Sequence, residues 1–130
     1  MAKNTVLTLK KKVDEGGKVT MVTSYDYTMA ALVEEAGIDM ILVGDSLGMT
    51  MMGYDSTIPV TMDDMVHHTR CVTRATSNTF VVGDMPFLSY EQDVATAVSN
   101  AGRLMKEGRC QAVKLEGGIE VCPQVKAMVE

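Results

Sequence analysis

Apolar and polar positions follow two different periods along this chain, and the switches between them mark out its elements. Short continuous apolar runs occupy residues 18–23, 39–44, 79–83 and 111–115. Runs of this length, bounded by turn residues, read as strands buried on both faces. Between them apolar residues recur at helical spacing. Residues 5–14 predict a leading helix with an apolar face of Val6, Leu7, Leu9 and Val13, closed by Gly16-Gly17. A second helix runs through Ala30, Ala31, Leu32, Val33 and Ala36, capped by Ser24 or Asp26 and stopped by Gly37. A third carries Met65, Val66, His68, Thr69 and Val72 behind a Thr61/Asp64 capping pair and breaks at Ser77-Asn78. A fourth is predicted over residues 90–108, with Val94, Ala97, Val98, Ala101, Leu104 and Met105 on one face and Gly108 as its end. Residues 119–130 begin a fifth, and residues 45–60 read as a long polar loop.

A leading helix followed by strand–helix units is an α/β pattern. Two architectures fit. One is an open doubly wound sheet, which 130 residues can complete. The other is the N-terminal half of a (β/α)₈ TIM barrel, about four βα units plus the leading helix, since a whole barrel takes about 250 residues. On the second reading, residues 1–130 are a single incomplete barrel domain. Both architectures bind ligands at the carboxyl ends of their strands.

Composition narrows the classes of function. The chain is 46% hydrophobic and 22% charged, the balance of an ordinary globular domain with a real core. Its formal net charge of -5, without a basic stripe, argues against nucleic acid. Lys10-Lys11-Lys12 reads as a solvated helix face. No apolar run approaches the roughly 20 residues of a membrane span, and the N-terminus lacks the apolar core of a signal peptide, so a cytoplasmic protein is expected. Cys71, Cys110 and Cys122 form no Cys-x-x-Cys pattern, which argues against a zinc site or a disulfide framework. Cys71 and Cys110 are expected to pack as small apolar groups, and Met29, Met40 and Met65 to fill the core.

The chemistry lies where the apolar runs end. Ile41-Leu42-Val43-Gly44-Asp45-Ser46, Phe80-Val81-Val82-Gly83-Asp84 and Ala112-Val113-Lys114-Leu115-Glu116 each deliver an acid at the same end of a strand. Carboxylates brought together repel one another unless a cation sits among them. An all-oxygen set selects a hard ion, with Mg²⁺ as the natural candidate. Asp45 and Asp84 suit such an ion, and Glu116 would ligate it or hold a water bound to it. Lys114 lies two residues before Glu116 and so shares its side of the strand. With Ser46 it could neutralise and orient a small α-keto acid. His67 and His68, on a predicted helix, read as structural. Gly117-Gly118 is a weak signal for a phosphate cradle.

At these residues the chain resembles a known family. Thr23-Ser24-Tyr25-Asp26-Tyr27, Leu42-Val43-Gly44-Asp45-Ser46-Leu47-Gly48-Met49, Ser56-Thr57-Ile58-Pro59-Val60-Thr61, Asp84-Met85-Pro86-Phe87 with Ser89-Tyr90, and Val113-Lys114-Leu115-Glu116-Gly117-Gly118 match, in order, the N-terminal half of the ketopantoate hydroxymethyltransferases. The resemblance implies a (β/α)₈ barrel. It implies transfer of a hydroxymethyl group from 5,10-methylenetetrahydrofolate to 3-methyl-2-oxobutanoate, giving 2-dehydropantoate on the path to pantothenate and coenzyme A. It implies Mg²⁺ on Asp45 and Asp84, with Glu116 in or beside that shell, and keto-acid contacts from Asp45, Ser46, Asp84 and Lys114. It also implies a large homo-oligomer, a decamer, at full length. The family's general base is a glutamate from the second half of the barrel and has no match here, so no catalytic base is assigned and the isolated chain is expected to be inactive. Arg74-Ala75-Thr76-Ser77-Asn78 lacks the family's usual Gly-Ala, and Leu88 stands where a small residue is common.

Two other readings fit parts of the pattern. A receiver-type phosphoacceptor module has a similar size and strand-end chemistry but needs an acid pair after its first strand. Here Val22-Thr23-Ser24-Tyr25 is followed only by Asp26. A different Mg²⁺-dependent barrel enzyme of keto-acid carbon–carbon chemistry, such as a lyase, is the third.

Overall fold

In the computed structural model, which describes residues 3–130, the elements run α1 (Val6–Asp14), β1 (Met21–Thr23), α2 (Tyr27–Glu35), β2 (Met40–Val43), α3 (Leu47–Thr50), α4 (Met62–Ala75), β3 (Phe80–Asp84), α5 (Val94–Arg103), β4 (Ala112–Lys114) and α6 (Cys122–Val129). Helices begin where a side chain takes up free backbone N–H groups. Asp26, rather than Ser24, caps α2 by accepting from the Met29 N–H at 2.9 Å. Thr61 and Asp64 cap α4 reciprocally, as their spacing predicts. Gly37 follows α2 with a φ of 74°, a left-handed turn that favours glycine.

Five expectations need correction. The stretch 45–60 is not all loop, because α3 forms inside it. Leu47 is fully buried, and Gly48 lets the helix lie against Val60, where an added Cβ would come within 2.3 Å of Val60 Cγ2. The fourth helix begins at Val94, not at residue 90, because Asp93 caps it through the Thr96 N–H at 2.7 Å. It ends in a π turn over Leu104–Gly108, and the left-handed residue after it is Arg109, at φ 66°. The apolar face of α1 is uncovered: Val6, Leu7 and Val13 are exposed, and polar contacts hold the helix. Of the three methionines assigned to the core, Met65 is fully buried, Met40 half-buried and Met29 half exposed. Cys110 is buried as expected, while Cys71 is only half-buried.

The four strands pair in parallel in the order β1-β2-β3-β4. A doubly wound sheet reverses its strand order at a switch point, and this one does not. Parallel crossovers are right-handed, so a sequential order puts the connecting helices on one face and leaves the other as a lumen. Ile41, Val43 and Val81 pack toward the helices, in one core with Met65, Val72 and Leu104. By the alternation of strand residues, Met40, Leu42, Phe80, Val82 and Asp84 face the other way. The register pairs Asp84 with Lys114 and Val82 with Ala112, so β4 presents Ala112 and Lys114 to that same face. The architecture is half of a (β/α)₈ barrel, which rules out the open doubly wound sheet and with it the receiver-type reading. No helix is long and apolar enough to cross a membrane among the described residues.

Candidate active site

Asp84 closes β3, the most deeply buried strand, and its side chain is only 4% exposed. Both of its oxygens are held. Oδ2 accepts the Asp45 backbone N–H at 3.1 Å, and Oδ1 accepts from Lys114 Nζ at 2.7 Å. Lys114 reaches Glu116 as well, at 3.3 Å. The carboxyl ends of β2, β3 and β4 therefore meet through one buried carboxylate. Gly44 sits against this group, since a Cβ there would lie 3.3 Å from Ser46 Oγ and 3.8 Å from Asp84 Oδ2.

The electrostatics follow from these contacts. Burial and then the negative charge of Asp84 push the Asp45 carboxyl above the usual carboxylate range, against the pull of Lys114. Burial opposes charge on Lys114, but its hydrogen bond to Asp84 outweighs that and holds the ammonium above its ordinary value. Lys114 is thus a fixed cation, suited to pairing with an anion and unsuited to removing a proton.

The structure brings Asp45, Asp84 and Lys114 together. Glu116, at the exposed rim, joins them through Lys114. Ser46 lies beside the group, its Oγ 3.1 Å from the Tyr25 hydroxyl. The Tyr25 carbonyl in turn lies 2.8 Å from His68 Nδ1, which gives His68 a positioning contact. Next to the acids is a cavity of about 160 Å³ lined by Asp45, Thr57, Met85, Phe87, Tyr90 and Glu116 among others. Tyr25 and Tyr90 are the site residues that reading the strand ends misses. Both lie in the resembling stretches, and that is the signal that could have found them.

Other sequence candidates fall outside the site. His67 is exposed on α4, its Nε2 3.9 Å from Cys71 Sγ, one turn along the helix. Gly117-Gly118 makes no free anion cradle, because the Gly118 N–H donates to Glu120 Oε1 at 2.8 Å.

Among the described residues, no group of three or more His, Cys, Asp or Glu side chains forms a metal cluster. The pair Asp45 and Asp84 nonetheless fits a hard dication. Its donors are all oxygen, the donor type a hard ion takes. Mg²⁺ commonly takes only one or two protein carboxylates.

The ketopantoate hydroxymethyltransferase family model matches residues 3–130. The chain is 58% identical to 3-methyl-2-oxobutanoate hydroxymethyltransferase of Enterococcus faecalis over 98% of its own length and 46% of that protein's. It is 60% identical to the enzyme of the same name from Clostridium novyi, again over 98% of this chain and 46% of the relative. Among solved structures, it superimposes on a phosphoenolpyruvate phosphomutase from Streptomyces platensis subsp. rosaceus with a TM-score of 0.74 at 18% identity, over 97% of this chain and 49% of that one. A 2,3-dimethylmalate lyase of the PEP mutase/isocitrate lyase superfamily gives a TM-score of 0.70 at 15% identity, over 95% and 46%. These last two likenesses show the fold alone. The chain spans about half the length of the curated relatives it matches, and by its match from residue 3 to residue 130 it belongs to the ketopantoate hydroxymethyltransferase family.

Proposed function

We propose that this chain is one incomplete barrel domain carrying the keto-acid and metal side of a hydroxymethyl transfer from 5,10-methylenetetrahydrofolate to 3-methyl-2-oxobutanoate, giving 2-dehydropantoate for pantothenate synthesis. The observation that carries this is the buried Asp84, tied at one oxygen to the Asp45 backbone and at the other to Lys114. Asp45 and Asp84 would hold Mg²⁺, with Glu116 beside them. The ion would supply Lewis acidity toward the keto acid's oxygens. Lys114 stays charged and pairs with the substrate carboxylate. Ser46, braced by Tyr25, donates a hydrogen bond to the same anion. These residues bind, orient and polarise the keto acid. The removal of its C3 proton is left to a glutamate of the barrel's second half, as the resemblance to the family implies.

This reading makes the enzyme cytoplasmic and oligomeric at full length, and the 130-residue chain inactive alone. The test is complementation. The chain is mixed with the separately expressed remaining half of the Clostridium novyi relative, and 2-dehydropantoate formation is followed with and without Mg²⁺. Activity is expected only in the mixture, only with Mg²⁺, and not with Asp84→Asn. Turnover by the chain alone, or an active Asp84→Asn mixture, overturns the assignment.

A further inference from the structure

Tyr90 has a hydroxyl group whose acceptor side is used and whose proton is not. The ring is buried, 6% exposed, and its oxygen accepts the Glu116 backbone N–H at 3.1 Å. An amide N–H can only donate, so this bond consumes a lone pair and leaves the phenol's own proton free. A phenol carries that proton at neutral pH. No acceptor among the described residues takes it. Tyr90 is also one of the residues lining the cavity of about 160 Å³, with Asp45 and Glu116.

The placement is held from several directions. The Tyr90 carbonyl accepts from Gln124 Nε2 at 3.2 Å, which ties it to α6. The Ser89 carbonyl accepts from Asn100 Nδ2 at 2.7 Å, which ties the same turn to α5. Tyr90 also fixes what it touches, because its hydroxyl anchors the backbone that presents Glu116 just beyond β4. The cavity wall carries Asp45, Glu91 and Glu116, so a bare anion would be repelled there. A neutral donor is the group that can bind an anionic oxygen in such a place without adding charge.

We propose that the Tyr90 hydroxyl donates a hydrogen bond to an oxygen of the small carboxylate ligand that enters this cavity with a divalent cation, and so positions that ligand against Asp45 and Lys114. This rests on the keto-acid reading above, deepens it, and adds a residue from the turn after β3 to the site.

The test uses the 130-residue chain carrying ¹³Cζ-labelled tyrosine, with 3-methyl-2-oxobutanoate and Mg²⁺ as probes. The Tyr90 resonance is identified by its loss in Tyr90→Phe. Should that variant fail to fold, the resonance is identified through its proximity to the Glu116 amide in the unaltered chain. The resonance is expected to shift on adding the keto acid, and Tyr90→Phe to weaken keto-acid binding by roughly tenfold to a hundredfold, the worth of a hydrogen bond to a charged acceptor. A resonance that stays fixed while the unaltered chain binds, or equal binding by Tyr90→Phe, overturns this role and leaves the keto-acid reading standing. No binding by the unaltered chain overturns both.

Discussion

Gly48 shows how a single position joins the fold to the site. It lies in the Gly-Asp-Ser-Leu-Gly string, three residues after Asp45, and its missing side chain lets α3 close on Val60. A Cβ would come within 2.3 Å of a branched, stiff neighbour, so Gly48→Ala is expected to destabilise the chain by about 1–3 kcal/mol in urea unfolding. Unchanged stability would mean that α3 shifts freely. At Lys114 the argument is electrostatic. Lys114→Met removes the partner of a buried carboxylate, and with the lysine about a third exposed the expected loss is about 1–2 kcal/mol. Mg²⁺ binding should persist in that variant while keto-acid binding falls, which calorimetry would separate. The acids of the site were legible from residue order alone because strand parity and chain direction place them at one end. The tyrosines were not, since their hydroxyls reach Ser46 and the Glu116 backbone only through the packing of loops after β1 and β3.

At the scale of elements, Asp39 does for the amino ends of the strands what Asp84 does for the carboxyl ends. Its carboxylate accepts from Lys12 Nζ at 2.8 Å and from the Thr20 N–H at 2.8 Å, which joins α1, β1 and β2. Burial raises its proton affinity, but the Lys12 and Thr20 hydrogen bonds outweigh that and hold its pKa below the usual carboxylate range. Glu34 is similar. Burial works against its charge, while Thr79 and the Ser77 and Asn78 N–H groups more than compensate, so its pKa is also lowered. An acid with a depressed folded pKa contributes stability that is present above its unfolded value and lost as pH falls through the folded one. The chain should therefore hold its stability from neutral pH down to the ordinary carboxylate range and lose it progressively below. In Asp39→Asn that acid-side loss should be visibly smaller, because the variant has already lost the contribution at neutral pH. Parallel melting curves would check this, and identical acid profiles would remove Asp39 from the account. The helix caps behind this framework were readable, because Thr61/Asp64 is a local pattern. The start of α5 was not, because Asp93 competes with an apolar periodicity that continues back through Tyr90. Leu88 adopts a φ of 62°, a conformation only the surrounding turn could reveal.

For the whole molecule, the governing fact is that a barrel has no edges and this sheet has two. Among the described residues, β1 pairs only with β2 and β4 only with β3. Beside β4 lies a cavity of about 670 Å³ whose walls include Val113, Leu115, Val121, Val125 and Met128. At the other edge Met21 and Val22 are exposed. Unpaired parallel edges flanked by apolar surface recruit other chains, since their N–H and C=O groups and their apolar neighbours remain unmatched. Because the sheet order is sequential, the outer edge of β4 and the outer edge of β1 are the two that a closing set of strands would meet. The isolated chain is therefore expected to self-associate, with a light-scattering mass that is a multiple of 14.1 kDa and rises with concentration. Val22→Lys together with Val125→Glu should shift that mass toward the monomer while circular dichroism stays unchanged. Adding the remaining half of a relative should compete with self-association for the same edges. A chain that stays monomeric at the highest concentration reached, and binds no complementing half, would show that these edges are closed in solution by some rearrangement of α1 or α6.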